Sequence, residues 1–169
     1  MEDVGIINRV EQSGIVTLNL EELIPNNNLL SLDIKDQLFQ GLILREKDFR
    51  AWVKENDWSI YKNASVAVHC SADAIVPTWA YMLIASSLQP YASDVFFCEP
   101  AQLPALLSEK YLNKIDANEF TDKRVVIKGC GDREISNHAY LKLTTMLVPF
   151  VKSLMFGEPC STVPVYKKR

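Results

Sequence analysis

DWSIYKNASVAVHCSADAIVPTWAYMLIASSLQPYASDVFFCEP, residues 57–100, aligns with DANEFTDKRVVIKGCGDREISNHAYLKLTTMLVPFVKSLMFGEP, residues 116–159, at a constant offset of 59 and without a gap. Ten of the 44 positions are identical. Ala80–Tyr81 matches Ala139–Tyr140, Leu88 matches Leu147, Pro90 matches Pro149, Phe97 matches Phe156, and Glu99–Pro100 matches Glu158–Pro159. Val66 falls on Val125 and Asp73 on Asp132, and the apolar pattern between these points agrees too. The chain reads as two copies of one supersecondary unit. The alternative is chance likeness between two ordinary strand–helix–strand segments.

Each copy reads alike. Val66–Val68 and Val125–Ile127 are short β-branched runs, the mark of strands buried on both faces. Turn-prone stretches follow, Cys70–Asp73 in the first copy and Gly129–Asp132 in the second. Helical spacing then links Ile75, Trp79, Leu83 and Ile84 in the first copy, and Ile135, Ala139, Leu143 and Met146–Leu147 in the second. Pro77 suits a first helical turn, Ser136 suits a cap, and Pro90 and Pro149 stop the two helices. The helix Ile75–Leu88 lacks a polar stripe and is expected to be the most buried of the fold, with Trp79 and Leu83 in its core. Second strands are expected at Val95–Phe97 and Leu154–Phe156.

A strand–helix–strand crossover of this length implies parallel pairing with a right-handed connection. Helices are also expected over Glu46–Asn56 and Leu103–Ile115. The expected fold is one three-layer α/β domain over residues 1–169, with the four strands of the repeat mutually parallel in one sheet. An N-terminal β appendage, about residues 1–40, carries Ile15–Leu18 and Leu29–Ile34, which suit a hairpin on a sheet edge.

Composition bounds the function classes. A chain of 169 residues with 48% hydrophobic and 23% charged residues is globular, not disordered. A net charge of −3 and a pI near 5.4 argue against nucleic-acid binding, and the only basic cluster is the tail Lys167–Arg169. No apolar run reaches the ~20 residues of a membrane span. Met1–Val4 has no basic leader, so the expected setting is the cytoplasm, with four reduced cysteines.

The cysteines hold the chemical interest. Cys70 and Cys98 close the two strands of the first copy, Cys130 follows the third strand, and Cys160 follows the fourth. On the expected topology all four reach the carboxyl edge of a parallel sheet, where open α/β folds bind ligands. Thiolates that share zinc need sulfurs only ~4 Å apart. No CxxC pair supports a metal site, and Cys98, embedded in Phe96–Phe97–Cys98, reads as a small buried hydrophobe. Cys70, Cys130 and Cys160 are the candidate metal ligands, with Asp73, Asp132 and His138 as further candidates. The two aspartates equally suit helix capping, and His69 reads as a satisfied core or surface histidine.

The stretches FQGLILREKDFR (Phe39–Arg50), CSADAIVPTWAYMLIA (Cys70–Ala85), VVIKGC (Val125–Cys130) and GEPCSTVPVYK (Gly157–Lys167) resemble the bacterial domain-of-unknown-function family 2480. The resemblance covers nearly the whole chain and places Cys70, Cys130 and Cys160 in the family's motif blocks, with Cys98 outside them. It also implies partners among sulfur-mobilisation iron–sulfur assembly proteins. That setting suits a three-thiol site holding zinc or an iron–sulfur cluster, with one coordination position open.

Three functions therefore stand as expectations. The first is a cysteine-ligated metal or iron–sulfur protein accessory to cluster assembly. The second is an enzyme of sulfur or acyl transfer using Cys70 or Cys130 as nucleophile. The third is a binding or scaffold module whose cysteines are only buried.

Overall fold

The run Ala64–His69 carries no acid and no long polar side chain, and it forms a strand, β4, buried at all six positions. A computed structural model describes residues 14–129, 131–158 and 161–169, together with the backbone of 8–10. In chain order the strands before β4 are β1 (Asn8–Val10), β2 (Ile15–Leu18) and β3 (Asn28–Asp33), and the helices are α1 (Leu20–Leu23) and α2 (Glu46–Glu55). After β4 come α3 (Thr78–Leu88), β5 (Asp94–Phe97), α4 (Leu103–Leu112), β6 (Arg124–Ile127), α5 (Asn137–Leu147), β7 (Ser153–Glu158) and β8 (Ser161–Lys167).

The fold is mixed α/β with two mainly parallel sheets. By contacts the chain divides into two compact units, and the division falls within α4. The continuous unit, residues 27–107, holds the sheet β3-β4-β5, parallel throughout. The split unit, residues 1–26 with 108–169, holds β1-β2-β6-β7-β8. Its centre β2-β6-β7 is parallel, and β1 and β8 are antiparallel edges.

The four strands of the repeat therefore do not share one sheet. A strand has two hydrogen-bonding edges, and both edges of each central strand are filled inside its own unit. β4 takes β3 and β5, and β6 takes β2 and β7. The N-terminal strands β2 and β3 are present but form no hairpin, because each runs parallel to the central strand of a different sheet.

Detail recurs at the 59-residue spacing. A 3-10 turn at Trp58–Tyr61, begun by an Asp57 side chain that accepts from the Ser59 amide, matches one at Ala117–Phe120 begun by Asp116 on Asn118. Ser93 donates to the Ala64 carbonyl at 2.8 Å, and Lys152 to the Lys123 carbonyl at 2.8 Å. Helices α3 and α5 begin and end at matching positions.

α3 is not buried all round. Its buried residues are Ala80, Ile84 and Leu88, one stripe at i, i+4, i+8, whereas Trp79 and Leu83 are half-buried beside it and Met82 is 67% exposed. The helix starts at Thr78, three residues later than expected, because the residue before Pro77 is held out of the α region. Ile75 is left 92% exposed. The core of the continuous unit joins this stripe to Phe49, Trp58, Val66 and Val68. Ala67, on the other face of β4, packs with Cys98 and Leu103. Among the described residues no helix is long and apolar enough to cross a membrane.

Candidate functional site

In the split unit the parallel strands β2 and β6 end together, β7 runs two residues further, and Lys128 and Gly129 follow β6 on the way to α5. At this carboxyl edge lies a cleft of about 670 Å³. Its polar lining includes Asn19, Glu21, Lys128, Arg133 and Asn137, and its aromatic wall is Tyr140 with Phe156. The two rings meet edge to face, centroids 5.6 Å apart.

Two close approaches shape the cleft. The Phe156 ring lies against Gly129, where a Cβ would come within 2.5 Å of it. The Glu21 carboxylate lies against Gly131, leaving no room there for a side chain. Glu21 also accepts the Arg133 amide at 2.6 Å, and the Arg133 guanidinium returns through Nη2 to the carbonyls of Glu21 (3.3 Å) and Ile24 (2.6 Å). These bonds clamp α1 and its C-cap to the segment before α5. The Arg133 Nε is buried and has no partner among the described residues.

The continuous unit has a related edge. Asp33, ending β3, accepts the Ser71 amide at 3.1 Å and the Ser71 hydroxyl at 2.6 Å, gripping the segment that follows β4. Cys70 is half-buried at the end of β4, its Sγ 3.8 Å from the Ala72 carbonyl. Burial pushes the Tyr81 phenol up, and the negative charge of Cys70 and Asp33 on the same edge adds to this. Tyr81 meets Phe97 edge to face at 4.7 Å, the counterpart of the Tyr140–Phe156 pair.

The expected ligands are placed unequally. Cys130 and Cys160 lie outside the described residues, and with them the three-thiol arrangement expected of Cys70, Cys130 and Cys160. Among the described residues no three His, Cys, Asp or Glu side chains gather as a metal site. Asp132 and His138 are exposed and do not line the cleft, and Asp73 is exposed in the continuous unit. Neither aspartate takes the capping position, which belongs to Pro77 in α3 and Ser136 in α5, and neither of those gives a side-chain cap bond. Cys98 is buried and free, and burial, with Glu99 beside it, pushes its thiol up. His69 is buried with Nδ1 3.3 Å from Glu99 Oε2, a charged pair only when the imidazole is protonated.

Sequence reasoning passed over Glu21, Lys128 and Arg133. Glu21 and Arg133 stand 112 positions apart and belong to no motif. Tyr140 and Phe156 stand out as identities of the repeat, and Gly129 and Gly131 lie in its turn-prone stretch.

No curated protein and no solved structure matches the chain. A family model described as "Protein of unknown function (DUF2480)" matches residues 4–168. With nearly its whole length matched, the chain belongs to that family.

Proposed function

We propose that the protein is a thiolate-ligated metal or iron–sulfur protein, accessory to cluster assembly, with its ligands on the carboxyl edge of the split unit. The observation that carries this reading is the pairing of β6 with β7, parallel and adjacent, with Ile127 opposite Phe156. Cys130 follows Ile127 by three residues and Cys160 follows Phe156 by four. Adjacent parallel strands lie ~4.8 Å apart, so ligands drawn from the segments after both would share one sheet edge, as a common metal requires. Lys128 and Arg133 line the cleft at that edge, and cations of this kind favour thiolate over thiol wherever a cysteine comes near them. The role in cluster assembly rests on the family resemblance.

The test is zinc, iron and acid-labile sulfide content, with a visible spectrum, on full-length protein purified without oxygen. Cys130→Ser and Cys160→Ser each lose the metal on this reading, and Cys98→Ser keeps it. Loss in Cys70→Ser as well adds the third thiol of the motif blocks to the ligand set. Metal retained by both Cys130→Ser and Cys160→Ser overturns the reading.

A second reading has its own observation. Gly129 and Gly131, the chain neighbours of Cys130, both line the cleft. Cys130 then serves as a nucleophile in sulfur or acyl transfer. Its mark is fast alkylation of one thiol at neutral pH in metal-free protein, abolished by Cys130→Ser.

A further inference from the structure

Two hollows of the split unit share a wall. Beside the polar cleft lies an apolar groove of about 330 Å³, and Tyr140 and Phe156 line both. Leu141, Thr144 and Thr145 of α5 form one bank of the groove, and Met155 and Val165 the other. The Thr145 hydroxyl turns back to the Lys142 carbonyl at 2.8 Å, so it offers the groove no free donor. Leu141 is 66% exposed, an apolar side chain held in water on a surface with no other use in the fold.

The cleft on the other side of the two rings presents two cations. Lys128 and Arg133 line it, and the Arg133 Nε is buried without a partner among the described residues. Asn137, the first residue of the eleven-residue helix α5, lines it too, and no side chain caps that helix end. Of the two carboxylates present, Glu21 already accepts the Arg133 amide, and Glu134 is exposed.

The repeat supplies an internal contrast. The position of Gly129 is held by Cys70 in the first copy, and there Phe97 is 72% exposed, against 39% for Phe156. A glycine at 129 lets the Phe156 ring lie over the backbone, where it walls both hollows.

We propose that the split unit binds a small amphiphile, an anionic head on an apolar body. The head sits in the cleft beside Lys128 and Arg133, the body lies in the groove along Leu141 and Val165, and Tyr140 and Phe156 pack against the junction. The head occupies the same cleft edge as the proposed metal ligands, but the site as proposed draws on no thiol.

The experiment is displacement of 8-anilinonaphthalene-1-sulfonate from the full-length protein by decanoate, decanol and inorganic phosphate. Decanoate is expected to compete at concentrations about tenfold lower than decanol or phosphate, since only it offers both halves. Lys128→Ala weakens decanoate about fivefold, the scale of a half-exposed ion pair, and leaves decanol unchanged. Leu141→Glu weakens decanoate and decanol alike, whereas Met82→Glu, at the matching place in the first copy, changes neither. Equal binding of decanoate and decanol overturns the proposal, as does a Met82→Glu variant as damaging as Leu141→Glu.

Discussion

Asn63 and Asp122, 59 residues apart, share one uncommon backbone state, with φ of 58° at the first and 56° at the second. Each donates its amide to the carbonyl of an aromatic residue, Tyr91 at 3.0 Å and Phe150 at 2.9 Å. The left-handed region costs an ordinary L-residue ~1–2 kcal/mol, and Asn and Asp are among the residues that visit it most readily. Asn63→Val and Asp122→Val should each lose about 1–2 kcal/mol in urea denaturation, and the glycine variants should stay close to wild type. Equal midpoints for valine and glycine at either site would show that its turn does not require the left-handed state.

A second matched set lies in the helices. Ala80, Ile84 and Leu88 are fully buried in α3, and so are Ala139, Leu143 and Leu147 in α5. Ile84→Ala and Leu143→Ala each remove buried methyl groups and leave a cavity, a cost of ~2–5 kcal/mol. Met82→Ala and Leu141→Ala, on the exposed faces, should cost under ~0.5 kcal/mol. Similar losses at all four positions would contradict a single buried stripe. Trp79→Ala should fall between, because the half-buried indole still meets Phe49 edge to face at 5.8 Å.

These residues also mark how far the sequence could be read. Strand, turn, helix and proline stop all fall within 44 residues, and such local signals survive in the chain order. Partner choice between strands is not local. β4 is buried along its whole length and β6 from Val125 to Ile127, so burial alone does not name a neighbour, and one sheet and two satisfy the pattern equally. A helix rich in apolar residues hides its buried stripe for the same reason, which is why Trp79 and Leu83 stood in for Ile84 and Leu88. At the site, thiols attract notice because few side chains bind metals or attack carbonyls. An ordinary Glu21 and an ordinary Arg133 acquire meaning only when the fold brings them together.

The grip of Asp33 on Ser71 should be visible as acid sensitivity. Burial pushes the Asp33 carboxyl up, but the hydroxyl and amide of Ser71, the amide of Lys35 and nearby His69 outweigh it and hold the group at about 2. A folded pKa below the unfolded value of ~3.9 means the stabilisation is present above about pH 4 and lost as pH falls toward 2. The loss amounts to about 2 kcal/mol, an upper figure for a side chain 22% exposed. Stability measured from pH 5 to pH 2 should therefore fall more steeply for wild type than for Asp33→Asn. Parallel curves would mean that the Ser71 bonds do not favour the ionised carboxylate.

The clamp at the cleft predicts a sign of coupling. The Gly131 backbone lies outside the left-handed region, so an alanine there is limited by space alone, and the space is taken by the Glu21 carboxylate. Gly131→Ala should push that carboxylate off the Arg133 amide and cost ~1–3 kcal/mol, the scale of an unmade bond to a charged group. Glu21→Ala removes the same bond directly and also clears the obstacle. In the double variant the carboxylate that crowds the alanine at 131 is gone, so the two costs should fall short of additive by ~1 kcal/mol or more. Arg133→Lys should recover little of the loss in Arg133→Ala, because the lysine stem is one atom shorter and does not carry its ammonium to where Nη2 bonds the Glu21 and Ile24 carbonyls. Four urea curves, for wild type, the two single variants and the double, decide the matter. Strict additivity would place Glu21 away from Gly131 and remove the clamp as the device that shapes the cleft.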